Sequence, residues 1–373
     1  MNASLVLILI IVILGLFLNN KKSPKTRIIY IIICCTVFLL SSSLRSIYDG
    51  VSLGWDTVRY QAGFQNMGDN TFDDIIEMFI DRYFYRDNEN DIGFYFLQRT
   101  IRLFTSSFHV FTFIAQLLFF VPFGLLLYRK CQKISHLIFA FSFYLALVHV
   151  QAYTGARQFY ALGLGLMSFL CFERNKIKTA VLLLLIGMTI HLSLLITILP
   201  FVLLIFFCKY LKKIHLLTLM SAPLVLAFPN QLVMFLGNAI DSEKYANYGA
   251  YDAAGGAITF ILMLELMSLF CYIVIKWKFL VGNPSLLTIY SMLPCISFFG
   301  PLVYADGVMI RVSMYFFIYL SVLIPLGTEY FHPKSMGTLV LFILTTSLIL
   351  LTVSSGDNTD YHFFWEVDNV DTW

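Results

Sequence analysis

Residues 108–133 read FHVFTFIAQLLFFVPFGLLLYRKCQK. From Phe108 to Tyr128 no Asp, Glu, Lys or Arg interrupts the run. At 1.5 Å per helical residue it is long enough to cross a hydrocarbon core about 30 Å thick. Arg129, Lys130 and Lys133 follow at once. The same pattern, an apolar run followed by a short polar or basic turn, recurs along the chain. The runs are Ala3–Leu18, Ile28–Ser43, Phe108–Tyr128, Ser135–His149, Gly155–Phe172, Thr179–Ile190, Leu192–Phe207, Leu216–Phe228, Ala257–Ile275, Leu286–Val303, Val312–Gly327 and Thr338–Val353. With 59% hydrophobic and 13% charged residues and a mean hydropathy of +0.80, a soluble domain is excluded. The expected fold is an all-α polytopic membrane protein of about 12 transmembrane helices, forming one integral membrane domain over residues 1–373. The first run has no charged leader, so it reads as a span and not as a cleaved signal.

The basic residues sort by loop. Lys21, Lys22, Lys25, Arg27, Arg129, Lys130, Lys133, Arg174, Lys176, Lys178, Lys209, Lys212, Lys213, Lys276, Lys278 and Lys334 fall on one side of the twelve runs, which the positive-inside rule makes cytoplasmic. Arg45, Arg59, Arg82, Arg86, Arg99, Arg102, Arg157, Lys244 and Arg311 fall on the other, so lysine dominates inside and arginine outside. Both termini are then expected outside. The apolar stretch Thr179–Phe207 divides at His191 in this reading, because two spans keep its flanking basic loops on one side. Cys34, Cys35, Cys271 and Cys295 lie in spans, and Cys131, Cys171 and Cys208 lie near inner ends, a distribution that gives no disulfide framework.

Three outer segments exceed turn length: 44–107, 229–256 and the tail 354–373. In Thr71–Phe84, Phe72, Ile75, Ile76, Phe79, Ile80 and Tyr83 recur at helical spacing opposite Asp73, Asp74, Glu77 and Asp81. Thr71 and Asp74 have the spacing of a capping box. This predicts an interfacial helix roofing a cavity on the outer face. A second helix over Ile92–Phe104 turns Phe94, Leu97, Ile101 and Phe104 inward. Between Lys244 and Gly256, Tyr245, Tyr248 and Tyr251 serve either as headgroup anchors or as sugar-stacking rings. The acidic, aromatic tail from Asp357 to Trp373 is either disordered or a cover for the cavity.

Charged groups at helix mouths carry the chemistry. Arg157 opens the fifth run, and the small residues Ala161, Gly163 and Gly165 leave room beside it. An arginine at that depth needs an anionic partner, either a structural carboxylate or a phosphate held bidentately. His191 is a packing residue or a base that works near neutral pH. His149 carries a weaker version of the same signal. Arg311 follows Tyr304, Asp306 and Gly307 and has Tyr315 one turn below, and it either pairs with Asp306 or holds an anionic substrate group. Glu265 lies within a span, where a carboxylate needs a partner such as an outer arginine. Arg45, Tyr48, Asp49, Gly54, Trp55, Asp56, Thr57 and Tyr60 cluster after the second run, and Asp56 either holds sugar hydroxyls or caps a turn.

Taken in order, Arg45, Gly54-Trp55-Asp56-Thr57 with Tyr60, Asp91-Ile92-Gly93-Phe94, Arg157-Gln158 with Ala161, His191-Leu192-Ser193, and Arg311 with Tyr315 resemble the EpsG family of Wzy-type polysaccharide polymerases. The resemblance runs from Arg45 to about Tyr315 and departs at Asp91, where the family is expected to carry glutamate. It implies a GT-C-like membrane glycosyltransferase that joins polyprenyl-pyrophosphate-linked repeat units into capsule, O-antigen or exopolysaccharide chains. The expected location is the outer side of a bacterial cytoplasmic membrane. In that reading Arg157 and Arg311 hold pyrophosphate with help from Arg45, and His191 is the base with Asp56 behind it. Gln158, Tyr60, Trp55, Tyr315 and Tyr248 meet the sugars. The partners are the lipid-linked glycan donor and acceptor, membrane lipid and a chain-length regulator, with no nucleic acid. No cofactor or metal is expected, since no Walker pattern or ligand cluster occurs. A lipid-linked oligosaccharide flippase and an O-antigen ligase are the alternatives.

Overall fold

The computed structural model describes residues 3–19, 23–47, 56–81, 91–239, 257–305, 309–354 and 361–367. Among these the chain is helical, apart from an isolated antiparallel bridge between Arg45 and Phe363. It forms two compact units, Met1–Leu195 with Leu344–Trp373, and Ile196–Ile343.

The first unit contains α1 (Ala3–Asn19), α2 (Pro24–Ser43), α3 (Asp56–Asn66), α4 (Phe72–Ile80), α5 (Ile92–Arg102), α6 (Phe108–Lys130), α7 (Ile134–Leu147), the single turn α8 (Gln151–Thr154), α9 (Ala156–Phe172) and α10 (Ile177–Ile190). Helix α2 starts where its sequence says it should: Pro24 occupies the first turn and the Ser23 hydroxyl accepts from the Lys25 amide at 3.3 Å. Helices α2, α6 and α9 pack through aromatic rings, with Phe119 4.0 Å from Phe159 and Phe38 4.9 Å from Tyr144 of α7. In a bilayer, burial against protein gains little over burial against lipid, so close approach and ring geometry hold such helices. Gly163 shows the closeness: a Cβ there would fall on the Leu118 carbonyl of α6. His149 belongs to this packing, 5.3 Å from Phe38.

The helices of segment 44–107 follow the predicted periodicity with two corrections. The capping box forms, with Thr71 Oγ1 accepting from the Asp74 amide and the Asp74 carboxylate accepting from the Thr71 amide. Only Ile75 of α4 is buried, and Phe72, Ile76, Phe79 and Ile80 stay exposed. The cavity is lined from α3 instead of α4. Thr57 donates to the Tyr153 carbonyl at 2.7 Å and Gln98 donates to the Tyr60 carbonyl at 3.1 Å, bonds that pull α3 inward. Phe104, expected on the inner face, is exposed because α5 ends at Arg102. Tyr83, Arg82 and Arg86 lie outside the described residues, as do Tyr48, Asp49, Gly54, Lys21 and Lys22.

The second unit departs from the predicted spans. Helix α11 (Ile198–Phe207) and α12 (Leu211–Ala227) are joined by the 3₁₀ turn Cys208–Tyr210, so Leu192–Ala227 is a single helical stretch of 36 residues and not two spans around a lysine loop. Nothing at Cys208–Tyr210 stops a helix, since neither Gly nor Pro intervenes. Lys212 donates to the carbonyls of Tyr272 and Ile275, at 2.7 and 3.0 Å, at the end of the helix Ala257–Val274, where a cation is favoured. Helix α13 (Pro229–Ala239) and the stretch Pro284–Tyr304 follow the same unit's order. The predicted span Val312–Gly327 is a pair, Met309–Phe317 and Leu320–Thr328, bent by 41°. Among the described residues five stretches are long and apolar enough to cross a membrane, six if the bent pair crosses together, and shorter apolar helices accompany them. The twelve separate spans are therefore not reproduced, while the polytopic all-α architecture is.

Candidate functional site

Three chain segments far apart in sequence meet at one carboxylate. Asp91 is the N-cap of α5, yet its side chain makes no capping bond. Its Oδ2 accepts from Arg157 Nη1 at 2.9 Å and lies 3.3 Å from His191 Nδ1. Arg157 sits in the first turn of α9, just after Gly155 breaks the chain between α8 and α9. His191 is the residue that ends α10; its extended backbone (φ −158°, ψ 112°) separates that helix from the 3₁₀ turn Leu192–Thr197. The division of Thr179–Phe207 expected at His191 is thus present.

Gly93 permits the meeting. A Cβ on Gly93 would fall on Thr189 Oγ1 and within 2.7 Å of the Thr189 carbonyl carbon. The first turn of α5 therefore presses on the last turn of α10, which sets Asp91 against His191. The Arg157 guanidinium lies over the Tyr60 ring of α3, 5.4 Å from its centroid. The Arg157 and His191 side chains are partly exposed, at 30% and 21%, while Asp91 between them is buried.

Tyr60 also lines a small cavity of about 20 Å³, room for roughly one water molecule. Arg45 borders it and donates from Nη1 to the Tyr153 hydroxyl at 2.9 Å. Gln116 of α6 accepts from Ser42 and donates to the Ala152 carbonyl. His109 Nδ1 is 2.9 Å from the Ser43 carbonyl. The arrangement can hold an anion beside arginine and move a proton through an imidazole whose other nitrogen is oriented by a carboxylate.

Of the residues singled out from sequence, Arg45, Tyr60, Arg157 and His191 converge in the first unit. Gln158 is buried beside Arg157, and Asp56 is the half-buried first-turn carboxylate of α3. Arg311 and Tyr315 lie on the helix Met309–Phe317 of the second unit, with Tyr315 buried. Glu265, offered as a partner for an outer arginine, also belongs to the second unit, beside Ser297. Trp55, Tyr248, Tyr245, Tyr251, Asp306, Gly307 and Asp357 lie outside the described residues. Sequence reasoning named Asp91 only within a family string and gave it no role, although the demand of a deep Arg157 for an anion was the signal that pointed to one. It also missed Tyr153, which no spacing connects to Arg45.

The sequence model of the EpsG family matches residues 32–366. No curated protein and no solved structure matches the chain, so the expected GT-C likeness finds no counterpart.

Proposed function

Because this chain belongs to the EpsG family of Wzy-type polysaccharide polymerases, we propose that it polymerises polyprenyl-pyrophosphate-linked oligosaccharide repeats at the outer face of the cytoplasmic membrane. The observation that carries the reading is the shared carboxylate, Asp91 Oδ2 between Arg157 Nη1 and His191 Nδ1. With Nδ1 turned to Asp91, the imidazole presents Nε2 to an acceptor hydroxyl. His191 takes the hydroxyl proton as the oxygen attacks the anomeric carbon of the donor. The bond from that carbon to pyrophosphate breaks, and the departing electron pair stays on the lipid pyrophosphate. Arginine stabilises that developing charge. Arg157 donates to Asp91 and also interacts with Tyr60, and we assign the remaining N–H groups of its fork to phosphate.

Arg45 and Arg311 keep the phosphate-binding assignment that the resemblance of their strings implies. Asp91 extends the roles expected from sequence: it orients the base and anchors the phosphate-binding arginine together. Asp56 is the second candidate base. Tyr60, Gln158, Trp55, Tyr315 and Tyr248 remain the assigned sugar contacts, and a chain-length regulator remains a proposed partner. With purified protein and a synthetic lipid-linked repeat, His191→Ala and Arg157→Ala are each expected to lower elongation by about 10²-fold or more. Full elongation by both variants overturns the assignment. Cells lacking the protein should carry single-repeat products, whereas retention of substrate inside marks a flippase and long lipid-linked chains mark a ligase.

A further inference from the structure

The end of α9 opposite Arg157 carries a second set of cations. Arg174 follows the last turn of this 17-residue helix, about 25 Å along the axis from Arg157 at 1.5 Å per residue. This is the end that the positive-inside rule makes cytoplasmic. Helix α6 finishes beside it, because Lys130 Nζ donates to Glu173 Oε1 and both side chains are largely buried. That ion pair sets the residues next to each partner, Arg129 and Arg174, against one another, and the two guanidiniums repel. All of these residues belong to the first unit.

Arg27 and Lys130 are already matched within the protein. Arg27 donates from Nη1 to the carbonyls of Cys131 and Tyr128, at 2.8 and 3.4 Å, and so caps the end of α6. Lys130 and the nearby carboxylate of Glu173 hold each other. Arg129 and Arg174 differ: among the described residues neither side chain makes a hydrogen bond or a close ion pair. Arg129 is half-buried and its Nη1 is closed off without an acceptor, a costly state for a donor. Arg174 is exposed on a turn fixed by its own backbone. Arg174 and Lys176 N–H donate to the Cys171 carbonyl, Asn175 N–H donates to the Phe172 carbonyl, and Asn175 takes the left-handed φ of 59°. Two like charges that the fold holds together are stabilised by an anion placed between them. A tetrahedral phosphate fits, since it can offer separate oxygens to two guanidinium forks. We propose that Arg129 and Arg174 form a phosphate-binding site at the inner end of α6 and α9, filled by the headgroup phosphate of an anionic lipid or by free phosphate of the same chemistry. The site takes no part in the reaction at Arg157, and its occupancy stabilises the fold by mass action.

The test uses the full chain in phosphatidylcholine nanodiscs with increasing phosphatidylglycerol, and in detergent with inorganic phosphate. Thermal unfolding and native mass spectrometry of retained lipid are the readouts. Phosphatidylglycerol is expected to raise the unfolding midpoint of the wild type and to stay bound to it. Arg129→Gln combined with Arg174→Gln should weaken that binding about tenfold or more. Arg174→Gln alone, which leaves the bonds of its turn intact, should weaken it about threefold to tenfold. Lys178→Gln removes the same charge from an exposed position four residues on, and should change binding less than about twofold. Equal losses in Lys178→Gln and Arg174→Gln show diffuse surface charge at work and overturn the site, as does wild-type binding by the double variant. If the double variant does not fold, the comparison of Arg174→Gln with Lys178→Gln decides alone. Protection by inorganic phosphate that Arg174→Gln weakens supports the site and names a free anion as its ligand, whereas protection by phosphatidylglycerol only names the lipid. Protection by neither probe overturns the proposal.

Discussion

Two histidines sit in two polar clusters of opposite character. In the second unit, His215 of α12 is fully buried, with Nδ1 2.8 Å from the Tyr290 hydroxyl and Nε2 2.9 Å from Ser268 Oγ, which lies 2.8 Å from Ser297 Oγ. A neutral imidazole offers one donor and one acceptor, and this chain of hydroxyls satisfies both. In the first unit, His191 faces a buried carboxylate that also binds an arginine, and the imidazole and the guanidinium remain partly exposed. The sealed chain satisfies both imidazole nitrogens inside the protein and ties α12 to the helices that carry Ser268 and Tyr290. The open cluster carries formal charges and has donors left over. Matched and sealed describes a fastening; charged and reachable describes a site.

The strongest way to break that contrast is to remove each histidine. His191→Ala is expected to cost about 10²-fold to 10⁴-fold in kcat with little change in thermal unfolding. Asp91→Asn should fall by a similar factor, because it removes the anion shared by Arg157 and His191. His215→Ala should do the reverse. It leaves the Tyr290 and Ser268 hydroxyls without their partner, costs about 1–3 kcal/mol of stability, and keeps turnover per folded molecule near wild type. Elongation assays paired with thermal unfolding check all three. A catalytic loss in His215→Ala with unchanged stability would merge the two clusters into one functional class.

A smaller effect is expected from Gly93→Ala. The new methyl has nowhere to go but into Thr189, so the first turn of α5 must move from α10 by a fraction of an ångström or more. Displacing a catalytic contact by about 1 Å costs on the order of 10²-fold, and partial relaxation should hold the loss nearer tenfold. Single-turnover rates with saturating donor check it. Unchanged rates would mean that the Asp91–His191 contact is not what positions the base.

Much of this contrast was readable from the chain, and the unread part has a physical cause. Arg157 and His191 announced themselves because each is a polar group in an apolar run, where an unpartnered charge is expensive. The capping box of α4 was readable because it is settled within four residues. The role of Asp91 was not, since its partners lie 66 and 100 positions away and its string marked it by resemblance alone. The helix through Cys208–Tyr210 was misread for a related reason. Lysines there looked like a loop, but Lys212 satisfies two carbonyls at the end of another helix, a contact 60 and 63 residues distant. Charge sorting reports which end of a helix a segment lies near; it does not report whether the backbone turns there.

The weakest polar feature calibrates the scale. Asp74 is partly exposed, and bonds from the Thr71 amide and then the Thr71 hydroxyl hold its carboxyl below the ordinary carboxylate range. A depressed carboxyl adds stability above its unfolded value and loses it as pH falls through the lower folded value. The capping box should therefore hold at neutral pH and fray only in acid. Thr71→Ala removes the N-cap at every pH and should cost about 1 kcal/mol locally. Amide exchange of α4 from neutral pH down to about pH 3 would show both effects. Because α4 packs on α5, the same measurement reads whether fraying reaches the turn that carries Asp91. Elongation should change less than twofold in Thr71→Ala. A tenfold loss would mean that an exposed cap governs the partly open site, and exposure would then cease to separate support from chemistry in this unit.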